Sequence, residues 1–153
     1  MAFFFFIILW ELNLDMTETL SEVTLLAGTI FGEADDQEYA GKVGVGLTVA
    51  TRVKYPRWWG RNWRQVILMP HQFTCWEDKN KGRIFNGMNG STEDWKVCFG
   101  IARSIYIGEI EDKLGKPTHY HRFDIKPKWV DGLDYLCRIG DHIFYHDPAI
   151  DKE

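Results

Sequence analysis

The sequence has too few cysteines for a disulfide framework or for a metal centre built on paired thiols. Its three cysteines, Cys75, Cys98 and Cys137, lie far apart in a chain of 153 residues. An odd, widely spaced set excludes a dense disulfide framework and zinc-binding C-x-x-C pairs. We therefore expect three free thiols in a reducing compartment, with one disulfide plus one free thiol as the alternative.

Nucleotide-binding and nucleophile motifs are also absent. The sequence holds no G-x-x-x-x-G-K-[ST] loop, no G-x-G-x-x-G loop and no serine in a nucleophile elbow. Positive charge is not in excess either, since 18 basic against 22 acidic residues leave a formal net charge of −4. This balance argues against general binding of polyanions, and we expect no nucleic-acid partner.

The apolar run over residues 2–10 is too short for a membrane span, which needs about 20 such residues. No Lys or Arg precedes it and no small-residue cleavage site follows it, so it does not match a secretory signal. We interpret residues 1–15 as an extension outside the fold and residues 16–153 as one catalytic domain. A weak membrane-surface anchor is the alternative. We expect no stable membrane insertion, and synthesis in the cytoplasm without a signal peptide.

Hydrophobic periodicity predicts helices first and a small sheet last. Helices are expected over residues 20–34, 39–54, 63–69 and 91–106. Loops are expected over residues 71–90, and strands over residues 118–123 and 137–146. Capping boxes of Thr19 with Glu22 and of Ser91 with Asp94 mark the starts of the first and last helices. The predicted fold class is α+β, predominantly helical with a small C-terminal β region.

Glu33 stands at the end of the apolar stripe of the first predicted helix. It is in line with Leu26 and near Ile30, so the stripe directs its carboxyl group toward the core or the wall of a cleft. A carboxyl group in such a place can serve as a general acid. The alternative is a glutamate at a helix end that is turned into solvent.

Three histidines offer a second kind of chemistry. His119 and His121 are two residues apart in a predicted strand, so their rings share one face, and His142 lies in the following predicted strand. His119 and His121 could hold zinc with a third ligand from His71, Asp124 or His142, although no H-E-x-x-H motif and no paired cysteines accompany them. Histidines that are half-buried and hydrogen-bonded are the alternative interpretation.

Aromatic residues make up 15% of the chain, and seven of them are tryptophans, a residue often used at ligand surfaces. Trp58, Trp59 and Trp63 alternate with five basic residues: Arg52, Lys54, Arg57, Arg61 and Arg64. This segment could bind nucleic acid by phosphate contacts and stacking, or an anionic glycan with indole rings against sugar faces. Solvated charges around core tryptophans are the alternative.

Seven short segments of the chain form an opening, a middle and an end group. The opening group is residues 31–34 (FGEA), 39–45 (YAGKVGV) and 52–53 (RV). The middle group is residues 72–76 (QFTCW). The end group is residues 118–121 (THYH), 127–129 (PKW) and 139–145 (IGDHIFY). In this order, the segments resemble the signature of the SleB/CwlJ-type cell-wall hydrolase family.

This resemblance implies a lysozyme- or lytic-transglycosylase-like domain that needs no cofactor or metal. Its substrate would be the peptidoglycan glycan strand, cut between N-acetylmuramic acid and N-acetylglucosamine. The matching positions imply Glu33 as the catalytic acid. They also imply substrate-binding residues at Gln72, Phe73, Trp76, Tyr120, His121 and Trp129. With a single carboxylate, the muramic C6 hydroxyl attacks the anomeric carbon and leaves a 1,6-anhydro end.

The chain departs from the family after its first Glu-Ala pair, where the family's Arg-Gly-Glu is replaced by Asp35, Asp36 and Gln37. If the family's second glutamate assists catalysis, this replacement disfavours an inverting hydrolase and favours the single-acid route. Asp35 or Asp36 could still act as a base toward water, which leaves hydrolysis open.

Two other functions remain open from the sequence. One is a zinc-dependent peptidoglycan amidase or peptidase that uses His119, His121 and His142. The other is a glycan-binding module without catalytic activity. For the preferred enzyme we expect a monomer that acts on the cell wall, either as a phage endolysin or through a non-standard export route.

Overall fold

Helices precede a small sheet, as the sequence predicts. The computed structural model describes the backbone of residues 2–152 and the side chains of residues 15–152. The helices in that part of the chain are α1 (Ala2–Ala34), α2 (Tyr39–Lys54), α3 (Trp63–Leu68), α4 (Gly82–Asn89) and α5 (Glu93–Tyr106). The strands are β1 (His119–Arg122), β2 (Asp134–Ile139) and β3 (His142–His146). The predicted α+β class with a small C-terminal β region is confirmed.

Helix α1 carries the apolar stripe that forms one side of the core. Leu26, Ala27 and Ile30 are fully buried, and α2 and α5 pack against this helix. The predicted start at residue 20 is wrong, because the chain is already helical there and its N–H groups need no cap. Glu22 instead accepts a hydrogen bond from Tyr106 Oη at 2.6 Å.

The sequence predicts that residues 1–15 stand outside the fold. The structure describes no side chain before residue 15, so this stays a prediction. No helix of the described residues is long and apolar enough to cross a membrane. Cys75, Cys98 and Cys137 are all free thiols, as expected.

Three predicted boundaries or elements are wrong. Residues 71–90 were expected to be loops but contain α4 and a short 3₁₀ turn at Thr74–Trp76. Helix α5 is capped by Thr92, whose Oγ1 accepts from the backbone N–H of Trp95 at 3.2 Å, rather than by a box at Ser91. The single strand expected over residues 137–146 turns at Gly140 and forms two strands.

The sheet is antiparallel with strand order β1-β3-β2, so β1 is an edge strand. Phe144 of the central strand is fully buried against α2 at Gly44. A Cβ atom at Gly44 would lie 2.5 Å from Phe144 Cζ, and the absence of a side chain there lets helix and sheet meet. Because β1 pairs with β3, this contact also fixes β1 relative to α2.

We expect Gly44→Ala to destabilise the protein despite the better helix propensity of alanine. The propensity gain is about 1 kcal/mol, whereas overpacking a filled core costs about 1–3 kcal/mol. Because the Phe144 ring is fully buried and packs on Tyr120 and His142, it has little room to retreat. Denaturant unfolding should show a lower free energy of unfolding. Gly100→Ala on α5, where nothing lies within 4 Å of the new Cβ atom, is the control and should not destabilise.

A second prediction concerns His146 at the C-terminal end of β3. Burial alone would lower the pKa of its imidazole, but hydrogen bonds to Lys116 O at 2.9 Å and Asp151 Oδ2 at 2.6 Å outweigh it and raise the pKa. A histidine whose pKa is higher in the folded than in the unfolded protein stabilises the fold fully at pH values below its pKa in the unfolded protein, about 6.5. This stabilisation is lost as the pH rises through its pKa in the folded protein. His146→Gln should therefore lower Tm more at pH 6 than at pH 8. A gap in Tm that widens toward pH 8 would contradict this linkage.

Candidate active site

A groove of about 1050 Å³ lies between the C-terminal end of α1, the segment after α3 and the edge strand β1. Most of the side chains that the sequence assigns to catalysis or substrate binding line it: Glu33, Gln72, Phe73, Tyr120, His121 and Trp129. Trp76 does not line the groove. Its indole Nε1 donates to Thr29 Oγ1 at 3.0 Å, and its ring packs on α1 at Gly28.

Glu33 is half-buried and lines the groove, one residue before the end of α1. Its Oε1 accepts a hydrogen bond from the backbone N–H of Cys75 at 3.3 Å. Its Oε2 accepts one from Tyr120 Oη at 3.0 Å. The carboxyl group is therefore held at the groove by both oxygens rather than turned freely into solvent.

The two groups that face Glu33 keep their protons at neutral pH. Burial raises the pKa of the Tyr120 phenol well above its usual value, and the negative charge of Glu33 raises it further. Burial, with the nearby Glu33, also raises the pKa of the Cys75 thiol above its usual range. Among the described side chains no cation forms an ion pair with Glu33. The contacts of Glu33 are therefore hydrogen bonds from neutral groups.

A glycine on α1 allows the approach of the segment that carries Cys75. A Cβ atom at Gly32 would lie 2.5 Å from Cys75 Cβ, closer than real Cβ atoms come. The 3₁₀ turn at Thr74–Trp76 can therefore press against the helix and present its N–H group to Glu33. The resemblance marks residues 72–76, but the contact itself depends on tertiary packing.

Strand β1 contributes side chains to the groove from both of its faces, because it is an edge strand. Tyr120 points to the α2 side and reaches Glu33. His119 and His121 point to the other side, where the ring of Trp129 lies 5.4 Å and 5.7 Å from theirs. Trp129 stays 45% exposed, and Trp58 near Trp59 is 56% exposed. These two indoles offer flat apolar surfaces along the groove.

The structure does not assemble the histidines as the zinc alternative requires. The register pairs Arg122 with His142 and Tyr120 with Phe144, which places His142 on the face opposite His119 and His121. In the described part of the chain, no three His, Cys, Asp or Glu side chains are grouped closely enough to hold a metal ion. His142 is instead a neutral neighbour of Tyr120, since burial lowers the pKa of its imidazole.

The basic and aromatic segment does not form one surface. Trp59 is fully buried, and Trp63 packs on Tyr106. Arg57 pairs with Asp147 at 3.2 Å. Arg52 is 5% exposed and lines the groove, where its Nη1 donates to Gln72 Oε1 at 3.2 Å. The sequence places Arg52 in this segment and in the family signature, but it does not single it out as a site residue.

The residues that replace the family's Arg-Gly-Glu have contacts of their own. Asp35 pairs with Arg83 at 2.7 Å. Gln37 Oε1 accepts from the backbone N–H of Asp141 at 3.0 Å, and its Nε2 donates to Asp36 Oδ1 at 3.0 Å and to Asp141 Oδ2 at 3.2 Å. Gln37 thus joins the loop after α1 to the β2–β3 turn, and a carboxylate at this position could not make the two bonds that its Nε2 donates.

Comparison with known sequences shows a family relationship. A family model described as Cell Wall Hydrolase matches residues 36–145. A spore cortex-lytic enzyme of Halalkalibacterium halodurans is 28% identical over 127 residues, which is 81% of this chain and 34% of that protein. The chain thus spans about a third of the length of this relative. Glu33 lies just before the span that the family model matches.

Solved structures share the fold. The catalytic domain of the Bacillus cereus SleB protein aligns with a TM-score of 0.63 at 23% identity, covering 82% of this chain and 89% of that one. The catalytic domain of the germination-specific lytic transglycosylase SleB from Bacillus anthracis aligns with a TM-score of 0.61 at 24% identity, covering 82% and 93%. The lysozyme-like fold that the sequence implies is confirmed.

Proposed function

Because the chain belongs to the cell wall hydrolase family, we propose that it degrades peptidoglycan by cutting the glycan strand between N-acetylmuramic acid and N-acetylglucosamine. The observation that carries this proposal is the placement of Glu33. It lines a groove of about 1050 Å³ and is held by Cys75 N–H and Tyr120 Oη, and no cation among the described side chains forms an ion pair with it. Such a carboxyl group suits general acid–base catalysis of glycoside cleavage.

The reaction begins with Glu33 in its protonated form. It gives its proton to the glycosidic oxygen while the bond to the anomeric carbon of the muramic sugar breaks and an oxocarbenium-like state develops. The leaving N-acetylglucosamine keeps that proton as a hydroxyl hydrogen. The Glu33 carboxylate that remains accepts hydrogen bonds from Tyr120 and Cys75, which stabilise its charge.

The second step restores the acid. The muramic C6 hydroxyl attacks the anomeric carbon, its proton passes to the Glu33 carboxylate, and a 1,6-anhydro end results. The replacement of the family's second glutamate by Gln37 supports this lytic-transglycosylase route over hydrolysis. Asp35 is paired with Arg83, which occupies one of the two carboxylates that could activate water. The other, Asp36, accepts a hydrogen bond from Gln37 Nε2.

End-group analysis of digested sacculi tests this proposal against the alternatives. We expect new glycan ends and no new peptide amino groups, and we expect activity to persist in chelator. New amino groups with loss of activity in chelator would point to a zinc-dependent amidase or peptidase. Binding to sacculi without release of soluble fragments would point to a glycan-binding module.

Location and assembly stay predictions from the sequence. We propose that the protein is made in the cytoplasm and reaches the wall as a phage endolysin or by non-standard export. We propose that it acts as a monomer on its glycan substrate.

A further inference from the structure

Arg52 differs from the other cations that line the groove because no acidic side chain in the described part of the chain pairs with it. Arg83 pairs with Asp35 at 2.7 Å, Lys79 with Glu77 at 3.4 Å, and Arg122 with Asp124 at 3.2 Å. Arg52 alone of the four has no carboxylate within ion-pair distance among the described side chains. It is also the most deeply buried of them, at 5% exposure.

The contacts of Arg52 fix its position without neutralising its charge. Its Nε donates to Thr118 O at 2.7 Å, and its Nη1 donates to Gln72 Oε1 at 3.2 Å. Its guanidinium lies 5.5 Å from the ring centroid of Trp59 and 5.6 Å from that of Phe73. These contacts use two of the five N–H donors. The others have no protein acceptor in the part of the chain that the structure describes.

The surroundings of Arg52 keep its charge unopposed. Burial lowers the pKa of its guanidinium to about 10, so it stays protonated at neutral pH. Burial and the nearby Arg52 lower the pKa of His119 to about 4, which keeps that ring neutral. Taking a cation out of water without an ion-pair partner is costly, and arginine is almost never fully buried unless it is paired. A carboxylate on a ligand in the groove would be such a partner.

We propose that Arg52 binds a carboxylate of the peptidoglycan strand and so makes the enzyme prefer strands that carry this group near the cleaved bond. This inference rests on the proposed function, because it names what the same groove recognises in its substrate. Two kinds of carboxylate are available on such a strand. One is the lactyl carboxylate of a muramic residue without peptide, and the other belongs to the stem peptide. A guanidinium fork suits either, since both oxygens of a carboxylate can accept from it.

The test compares strands with free and blocked carboxylates. Solubilised glycan strands are divided, and one half is amidated with carbodiimide and ammonia. For the wild-type protein we expect amidation to lower kcat/KM about tenfold, mainly through a higher KM. For Arg52→Gln we expect the same loss on untreated strands and no further loss on amidated ones. Arg57→Gln, which removes an arginine paired with Asp147 away from the groove, should behave as the wild type.

A second variant guards against misfolding of Arg52→Gln. Gln72→Glu has nearly the same shape and places a carboxylate within reach of Arg52 Nη1. It should reduce activity on untreated strands and abolish the effect of amidation. Strands stripped of peptide by an amidase then identify the source. A persisting effect of amidation assigns the lactyl carboxylate, and a lost effect assigns the stem peptide.

Two results would overturn the inference. Amidation could leave wild-type kcat/KM unchanged, or Arg52→Gln and Gln72→Glu could lose equal activity on untreated and amidated strands, as a purely structural role would require. Failure of the wild type to release any fragment would instead refute the proposed function. In that case calorimetric binding of the same two strand preparations still decides whether a carboxylate is recognised.

Discussion

Glu33→Gln is expected to reduce kcat on purified peptidoglycan about 10²- to 10⁴-fold, the range that loss of a positioned general acid produces. The amide has nearly the same shape as the carboxyl group. Its oxygen can still accept from Tyr120 Oη or Cys75 N–H, so the fold should survive. It has no acidic proton to give to the glycosidic oxygen. Turbidity clearing of sacculi measures the effect.

Glu38→Gln is the matched control for that change. Glu38 is exposed at the start of α2, makes no side-chain cap bond and does not line the groove. Its variant should clear sacculi at the wild-type rate. A well-folded Glu33→Gln protein that clears sacculi as fast as Glu38→Gln would remove Glu33 from the mechanism.

Tyr120→Phe is expected to lower kcat about 10- to 100-fold while KM changes little. The substitution keeps the ring, which packs 5.0 Å from His142 and 5.7 Å from Phe144, and removes only the hydroxyl that donates to Glu33. A hydrogen bond to a charged group contributes about 1.5–3 kcal/mol, which corresponds to about that change in rate. The bond matters most after Glu33 has lost its proton.

Tyr135→Phe serves as the control because Tyr135 lies on β2, is 63% exposed and does not line the groove. Steady-state kinetics on solubilised strands separate kcat from KM for both variants. A wild-type kcat for Tyr120→Phe would mean that its hydroxyl does not support the charged form of Glu33.

The sequence predicts those parts of the fold in which one hydrophobic pattern continues over many residues. The apolar stripe of α1 leads to Glu33 because a helix of fixed pitch determines which side chains share its buried face. The sequence does not predict helix α4, because Gly82 and Gly87 lower the helix propensity of this segment. What orders it is tertiary, since Ile84 is buried against Gly28 and Gly32 of α1. The sequence also does not predict the turn at Gly140, because the residues of β2 and β3 on either side of it form one continuous β-rich segment.

The sequence predicts the direction of a site side chain where the period of a single helix or strand determines it. The end of the stripe points to Glu33, and alternation along β1 separates Tyr120 from its histidine neighbours. The resemblance alone does not show that Trp76 packs behind α1, or that Arg52 lacks a carboxylate partner. Both facts depend on how distant segments meet. The placement of His142 depends on strand register, which no local pattern shows.

In the proposed mechanism, Glu33 alone supplies both the acid and the base for cutting the glycan strand. Mass spectrometry of muropeptides from sacculi digested by the wild type and by Glu33→Gln tests this role. We expect the wild type to release muropeptides with 1,6-anhydro ends, which are lighter than hydrolysed ones by one water, and the variant to release none. Anhydro products from Glu33→Gln would contradict the mechanism, as would wild-type products whose glycan ends are all reducing or whose cuts fall only in the peptide.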